Sequence, residues 1–368
     1  MTSAAPIGTE RAPVPEPVDW ALASRVARRV AGRDPLGDSY LAGSLRTDFD
    51  EVTRRAEELV SEHTGLHAPG RATATVLDRS GWVDVNVASM RRLLAPLTDR
   101  VGERMARSPI APVGRSIAAT ELGVLLGFFS QRVIGQYDLL VPEEGDSQGD
   151  AVYYVGPNVL GLEKRFAFRP RDFRLWVAIH EVTHRAQFCG IPWMHDYFLG
   201  LVGSAMGMVD TDPRALVRSL VRAAGELREG RNPLDEGGLV ALLADDEHRD
   251  VLARIQALMS VLEGHGNRVM NELGRVHVAG QERMARVLAA RRETAGVIGA
   301  VYRILGLDAK MRQYEVGERF IESVEDQAGP RAIDAAWRGP EWLPRLDELS
   351  DPSAWLARVE RGEPVPAI

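Results

Sequence analysis

A chain of 368 residues, 45% hydrophobic and 26% charged, can bury a large core in one to three domains, and nothing in its composition departs from a globular protein. Its formal charge of −7 is built almost without lysine, Lys164 and Lys310 being the only two, and its arginines are scattered among acids, which excludes the basic stripe a nucleic-acid partner requires. Cys189 is the only cysteine, so no intramolecular disulfide forms, in keeping with a cytoplasmic location.

Residues 1–16 are rich in Pro, Ala and Thr, lack the basic-then-apolar order of a secretory leader, and read as a disordered lead-in. Apolar residues then recur at helical spacing in 18–31, 47–61, 86–105 and 114–134. The most apolar run, IAATELGVLLGFFS (117–130), is shorter than the about 20 residues of a bilayer span and carries Glu121. It reads as a buried core helix, and no membrane partner is expected. Tyr137–Val141 and Ala151–Val155 read as two short strands joined by an acidic loop, with Gly156-Pro157-Asn158 stopping the second.

Helix resumes at about 170, where Pro170 suits a first turn and Asp172 the positive end of the helix dipole. It runs to Cys189 and stops at Gly190, with Pro192 beyond. Further helices fit 193–207, 213–229, 246–273, 279–292, 296–305 and 309–328, Asp212 capping the second of these. After Gly329 the prolines allow only short helices. No repeat or long linker interrupts 17–355, so the expected organisation is one mainly α domain with a small β-hairpin or sheet before the 170–189 helix, built as one body or two helical lobes, followed by a tail over 356–368.

That helix contains LWVAIHEVTHRAQF (175–188). Residues four apart on a helix share a face, so His180 and His184 can direct two imidazole nitrogens at one zinc ion. Glu181 lies about 100° further round the axis, where it is poorly placed as a ligand but well placed as a general base beside the metal. The alternative is two core histidines bonded to backbone or carboxylates. Burying all three groups unpaired would cost several kcal/mol, and a metal removes that cost.

Zinc needs a third protein ligand. A metzincin would have glycine where Gln187 stands and histidine where Gly190 stands, so that class is excluded. His195 follows the Gly190–Pro192 break, and Asp210 and Asp212 suit capping. In LMSVLEGHGNRVMNELG (258–274), Leu258, Leu262, Val269, Met270 and Leu273 form an apolar face that Glu263 interrupts. Glu263 is the candidate third ligand, with a buried arginine pair as its alternative and His265 as the fallback ligand. Asn267, one turn on from Glu263, could accept a hydrogen bond from a ligating imidazole and orient it.

HEVTH, LEGHGNRVMNELG, GLDAKMRQYEVGERFIESV (306–324) and WLPRLDELSDPSAWLARV (342–359) together resemble the zincin-like metallopeptidase type 2 family. Its members are regarded as zinc-dependent hydrolases and are often labelled as associated with deazaflavin coenzyme biosynthesis. The resemblance covers nearly the whole chain after residue 17. It implies a gluzincin-like site holding one Zn²⁺ per chain, with His180 and His184 as zinc histidines, Glu181 as base and Glu263 as the glutamate of a Glu-x-x-x-Asp pattern. Asn267 departs from that pattern, since an amide carries no charge to raise imidazole basicity.

The expected activity is zinc-dependent hydrolysis of a peptide bond, with His265, Arg312 and Tyr314 as candidate oxyanion donors. The strand Ala151–Val155 is the expected substrate-side edge. Two alternatives stay open: an amidohydrolase acting on a small metabolite, and a non-catalytic zincin fold that binds a partner. A base at Glu181 argues against the second.

Overall fold

The computed structural model describes residues 16–34, 36–37, 39–95, 98, 111–138, 151–207, 246–293 and 308–366. The expected helices over 213–229 and 296–305, the end of the one over 86–105, residues 139–141, Asp210 and Asp212 lie outside these residues. Among those described, the fold is mainly helical, as the apolar periodicity predicts, and holds one three-stranded sheet.

Four helices come first: α1 (Trp20–Ala31), α2 (Leu45–Thr64), α3 (Arg79–Leu93) and α4 (Ala111–Ser130). Asp19 caps α1 by accepting from the backbone N–H of Leu22 at 2.9 Å. Gly65 closes α2 at φ +70°, the left-handed turn that glycine adopts without steric cost. By length and composition α4 could cross a membrane, but it runs parallel to α1 in close contact. A β-carbon on Gly123 or Gly127 would fall 2.7 Å from Ala23 O or 2.5 Å from Ala27 O. Only this side is buried; Val113, Ile117 and Val124 are exposed, so the expected buried core helix is buried along one face alone.

The sheet contains β1 (Thr73–Leu77), β2 (Gly135–Tyr137) and β3 (Ala151–Val155), in the order β1-β3-β2. β3 pairs in parallel with β1, Thr75 opposite Tyr153, and antiparallel with β2, Gln136 opposite Tyr153. β3 is therefore the central strand, fully buried, with Tyr154 stacked on Phe49 and bonded to Thr53 at 2.8 Å. It offers no free edge, so the expectation that it borders substrate is corrected: β1 and β2 are the edges.

β3 passes directly into α5 (Gly156–Phe166), with Pro157 in its first turn. The Gly-Pro-Asn triplet stops the strand as expected, but it also opens a helix, because proline is preorganised for a first turn. The remaining helices are α6 (Pro170–Gly190), α7 (Met194–Gly207), α8 (Asp246–His277), α9 (Gln281–Glu293), α10 (Asp308–Ala328) and α11 (Pro352–Arg361). α11 runs across the boundary expected at 355. Beyond it Val365 N–H bonds Glu341 O at 2.9 Å, so this stretch is tied to the body.

α6 is the structural centre. It packs on α2 on one side and on α8 on the other. Trp176, Val177, Ile179, Val182, Ala186 and Phe188 join a core cluster that extends from Leu45 to Trp355. Near its start, buried Arg174 makes a bidentate pair with Glu163 of α5, at 2.8 and 3.0 Å, and bonds Asp48 of α2. Two elements, α5 and α2, are thereby locked to the first turns of α6.

Candidate metal centre

One turn of α6 puts the two imidazoles side by side, with His180 Nε2 and His184 Nε2 3.1 Å apart and the ring planes at 84°. From α8, Oε2 of Glu263 lies 3.6 Å from each nitrogen. Tetrahedral coordination at about 2.0–2.1 Å separates ligand atoms by roughly 3.3–3.4 Å, and these three spacings bracket that value. Two nitrogens and one carboxylate oxygen, each partly exposed, form the only such convergent group among the described residues. The donor set and its spacing therefore fit zinc. Among the described residues Glu263 pairs with the two histidines and with no arginine.

Glycines make this convergence possible. A β-carbon on Gly266 would sit 3.2 Å from Cε1 of both imidazoles. On the opposite side of α8, a β-carbon on Gly264 would fall 2.4 Å from the carbonyl carbon of Gly317 on α10. α8 is thus pressed between the imidazole rings and the backbone of α10.

Glu181 is 7% exposed. Gly135 of β2 lies against it, where a β-carbon would fall 2.6 Å from Glu181 Cγ, and the Tyr137 backbone N–H donates to its carboxylate. Burial pushes the Glu181 carboxyl up, opposed by His180 and His184 and reinforced by Glu263. Among the protein groups alone, burial would lower His184, but the charge and hydrogen bond of Glu263 outweigh it and hold the ring up at about 9. Burial would likewise raise Glu263; the two histidines overcome it and keep this carboxyl well below the usual range.

The structure brings His180, His184 and Glu263 together and sets Glu181 beside them. It does not bring His265 to the group. Two residues on from Glu263, about 200° round the helix, His265 is buried against Trp337 with ring centroids 5.3 Å apart. Its Nδ1 bonds Gln187 Nε2 at 2.9 Å, so it is neither a fourth donor nor a free oxyanion donor. Burial pushes it down to about 3, with smaller contributions from His63 and His184. His195 pairs with Asp196 away from the site. The side chains of Arg312 and Tyr314 lie outside the described residues.

Asn267 is buried but makes no hydrogen bond to either imidazole; Gly266 is the residue of that turn that faces the rings. The expected orienting role falls instead to Gln187, whose Oε1 lies 2.9 Å from His184 Nδ1. Among the described residues His180 Nδ1 is buried without a hydrogen-bond partner. Gln187 was visible in the sequence only as the residue that breaks a metzincin pattern. The signal that it does more is its place three residues after His184, on the same face of the helix.

A model of the zincin-like metallopeptidase family matches residues 18–356. Among solved structures the chain is similar to a Chloroflexus aurantiacus protein proposed to be a hydrolase and described as having a novel fold. The two share 28% identity at a TM-score of 0.69, covering 94% of this chain and 99% of the other. No curated protein sequence matches the chain. With its family matched over nearly its full length and a hydrolase-type neighbour of the same fold, the chain is a hydrolase and belongs to the zincin-like metallopeptidase family.

Proposed function

We propose that the protein is a zinc-dependent peptidase that hydrolyses amide bonds, with His180, His184 and Glu263 as the metal ligands and Glu181 as the general base. The observation that carries this reading is the meeting of three donor atoms from α6 and α8 at 3.1–3.6 Å beside a buried carboxylate. Zinc held there would supply Lewis acidity toward the scissile carbonyl and acidify a water. Glu181 then takes a proton from the attacking water and delivers it to the leaving nitrogen. Its raised pKa, nearer neutrality than an ordinary carboxyl, suits both halves of that transfer. The Tyr137 N–H holds the carboxylate in place, and Gly135 leaves room for it.

A small amide substrate is the second reading, favoured by the sheet. β3 has no open edge, and on β2 the Tyr137 N–H is committed to Glu181. A long extended peptide therefore finds fewer strand partners than an open zincin edge would offer.

The test is metal analysis of the purified chain with His180→Ala and Glu181→Gln, and turnover of labelled casein and of a panel of N-acyl amino-acid amides. One zinc per chain is expected in the wild type and in Glu181→Gln, and a loss in His180→Ala. Turnover should fall by about 10²–10⁴ in Glu181→Gln. Unchanged turnover there, or wild-type zinc well below one per chain, sinks the reading. Cleavage of the amides but not of casein selects the second form.

A further inference from the structure

We propose that Gln187 is a positioning residue that selects the tautomer of the neutral His184 ring, the form that binds a metal, with the proton on Nδ1 and the lone pair on Nε2. The proposal rests on His184 being a ligand. The argument starts at a group with no freedom. The Leu262 carbonyl can only accept, and a Gln187 side-chain nitrogen lies 3.0 Å from it, so that end of the amide must be the NH₂. The second N–H of the same NH₂ is directed at His265 Nδ1, 2.9 Å away, which accepts it. Both donors are then used, and the amide cannot flip without setting its oxygen against a carbonyl oxygen.

Oε1 is therefore the end that meets His184 Nδ1 at 2.9 Å. An amide oxygen can only accept, so Nδ1 carries the proton. A neutral imidazole protonated at Nδ1 has its lone pair on Nε2, the atom that converges with His180 and Glu263. Gln187 is fully buried, so water does not compete for these bonds. Trp337, stacked edge-on against His265, closes the far end of the relay. His180, whose Nδ1 has no partner among the described residues, shows no such device there. The two histidines are thus unequal: the tautomer of one is fixed by the protein, and that of the other by the metal.

The experiment uses the full chain and two independent readouts. Zinc affinity is measured by competition with a chromophoric chelator for wild type, Gln187→Met and Thr183→Val. Thr183 is buried on the same helix with its hydroxyl bonded to Ile179 O, and it controls for packing damage. Gln187→Met should bind zinc 10–100-fold more weakly, with Thr183→Val close to wild type. Ring ¹⁵N–¹H spectra of the metal-free wild type, with His184 identified by its absence in His184→Asn, should show a slowly exchanging proton on Nδ1. This second readout needs no Gln187 variant to fold, and in Gln187→Met that proton should exchange faster. An Nδ1 without a proton in the wild type, or Gln187→Met within threefold of wild-type affinity, overturns the proposal. A wild-type chain that binds no zinc overturns the metal reading itself, which separates that failure from one confined to Gln187.

Discussion

Gly135 and Glu181 are in such close contact that no other residue fits at position 135 without displacing the carboxylate or the strand: a β-carbon there would lie 2.7 Å from Oε1. Gly135→Ala should therefore act on the base and not on the ligands. The expected result is zinc content equal to wild type with turnover reduced by about a hundredfold, the cost of a displacement near 1 Å. Loss of zinc in this variant would show that the base and the ligands are mechanically coupled.

Gly266 makes the opposite prediction. Alanine in mid-helix is worth up to about 1 kcal/mol of stability over glycine, but its β-carbon would press on both imidazoles at 3.2 Å. Gly266→Ala should leave the metal-free thermal midpoint unchanged or raised while zinc affinity falls about tenfold. Equal affinity, measured by chelator competition, would mean that the rings yield freely.

The helix carrying the site was largely legible in the sequence, and the sheet that flanks it was only partly so. Pro170 and Asp172 open α6, and the apolar run from Trp176 to Phe188 gives its buried face, so its start and class followed from local chemistry. Its end did not follow so simply. Gly190 is the last helical residue, not a left-handed cap, and its small size suits the close approach of the His67 backbone, which would lie 3.2 Å from a β-carbon there. β3 has its predicted limits, but strand order is set by long-range pairing that periodicity does not encode, and TATVL at β1 is too short a run to stand out between the helical segments. Glu263 stood out because a carboxylate broke an apolar stripe. The choice between Gly266 and Asn267 turns on a rotation of one residue about α8, which no pattern of types specifies.

Stability should depend on pH through two histidines with opposite signs. His265 sits at about 3 in the fold, below its unfolded value near 6.5. Between these values the unfolded chain binds more protons, so stability falls as pH drops. Glu263, held low, acts in the same direction at more acid pH, and Glu181, held high, opposes it in part. His184 sits at about 9 when only protein groups surround it. Its contribution is complete below about pH 6.5 and is lost as pH rises through 9. The metal-free chain should show a maximum thermal midpoint near pH 6.5. Zinc, which displaces the His184 proton, should flatten the alkaline side. His265→Phe should soften the acid side; identical profiles for variant and wild type would remove His265 from the account.

Arg174 anchors α6 far from the ligands. Replacing it with methionine keeps most of its length but leaves Glu163 and Asp48 facing each other without a cation, and a buried pair broken on one side costs about 3–5 kcal/mol. Urea denaturation of Arg174→Met should register a loss of that order. A loss under 1 kcal/mol would mean that solvent reaches the two carboxylates.

The contact of Gly264 with Gly317 has a consequence for how the site tolerates change. Glu263 owes its height above the histidines to two main chains resting on each other, with no intervening side chain whose size could drift. Neighbouring hydrocarbon can be reshuffled over many generations while the carboxylate keeps its station. Those two positions, by contrast, have no neutral alternatives, because even one added carbon would part α8 from α10 and drive it against the imidazole rings on its other side.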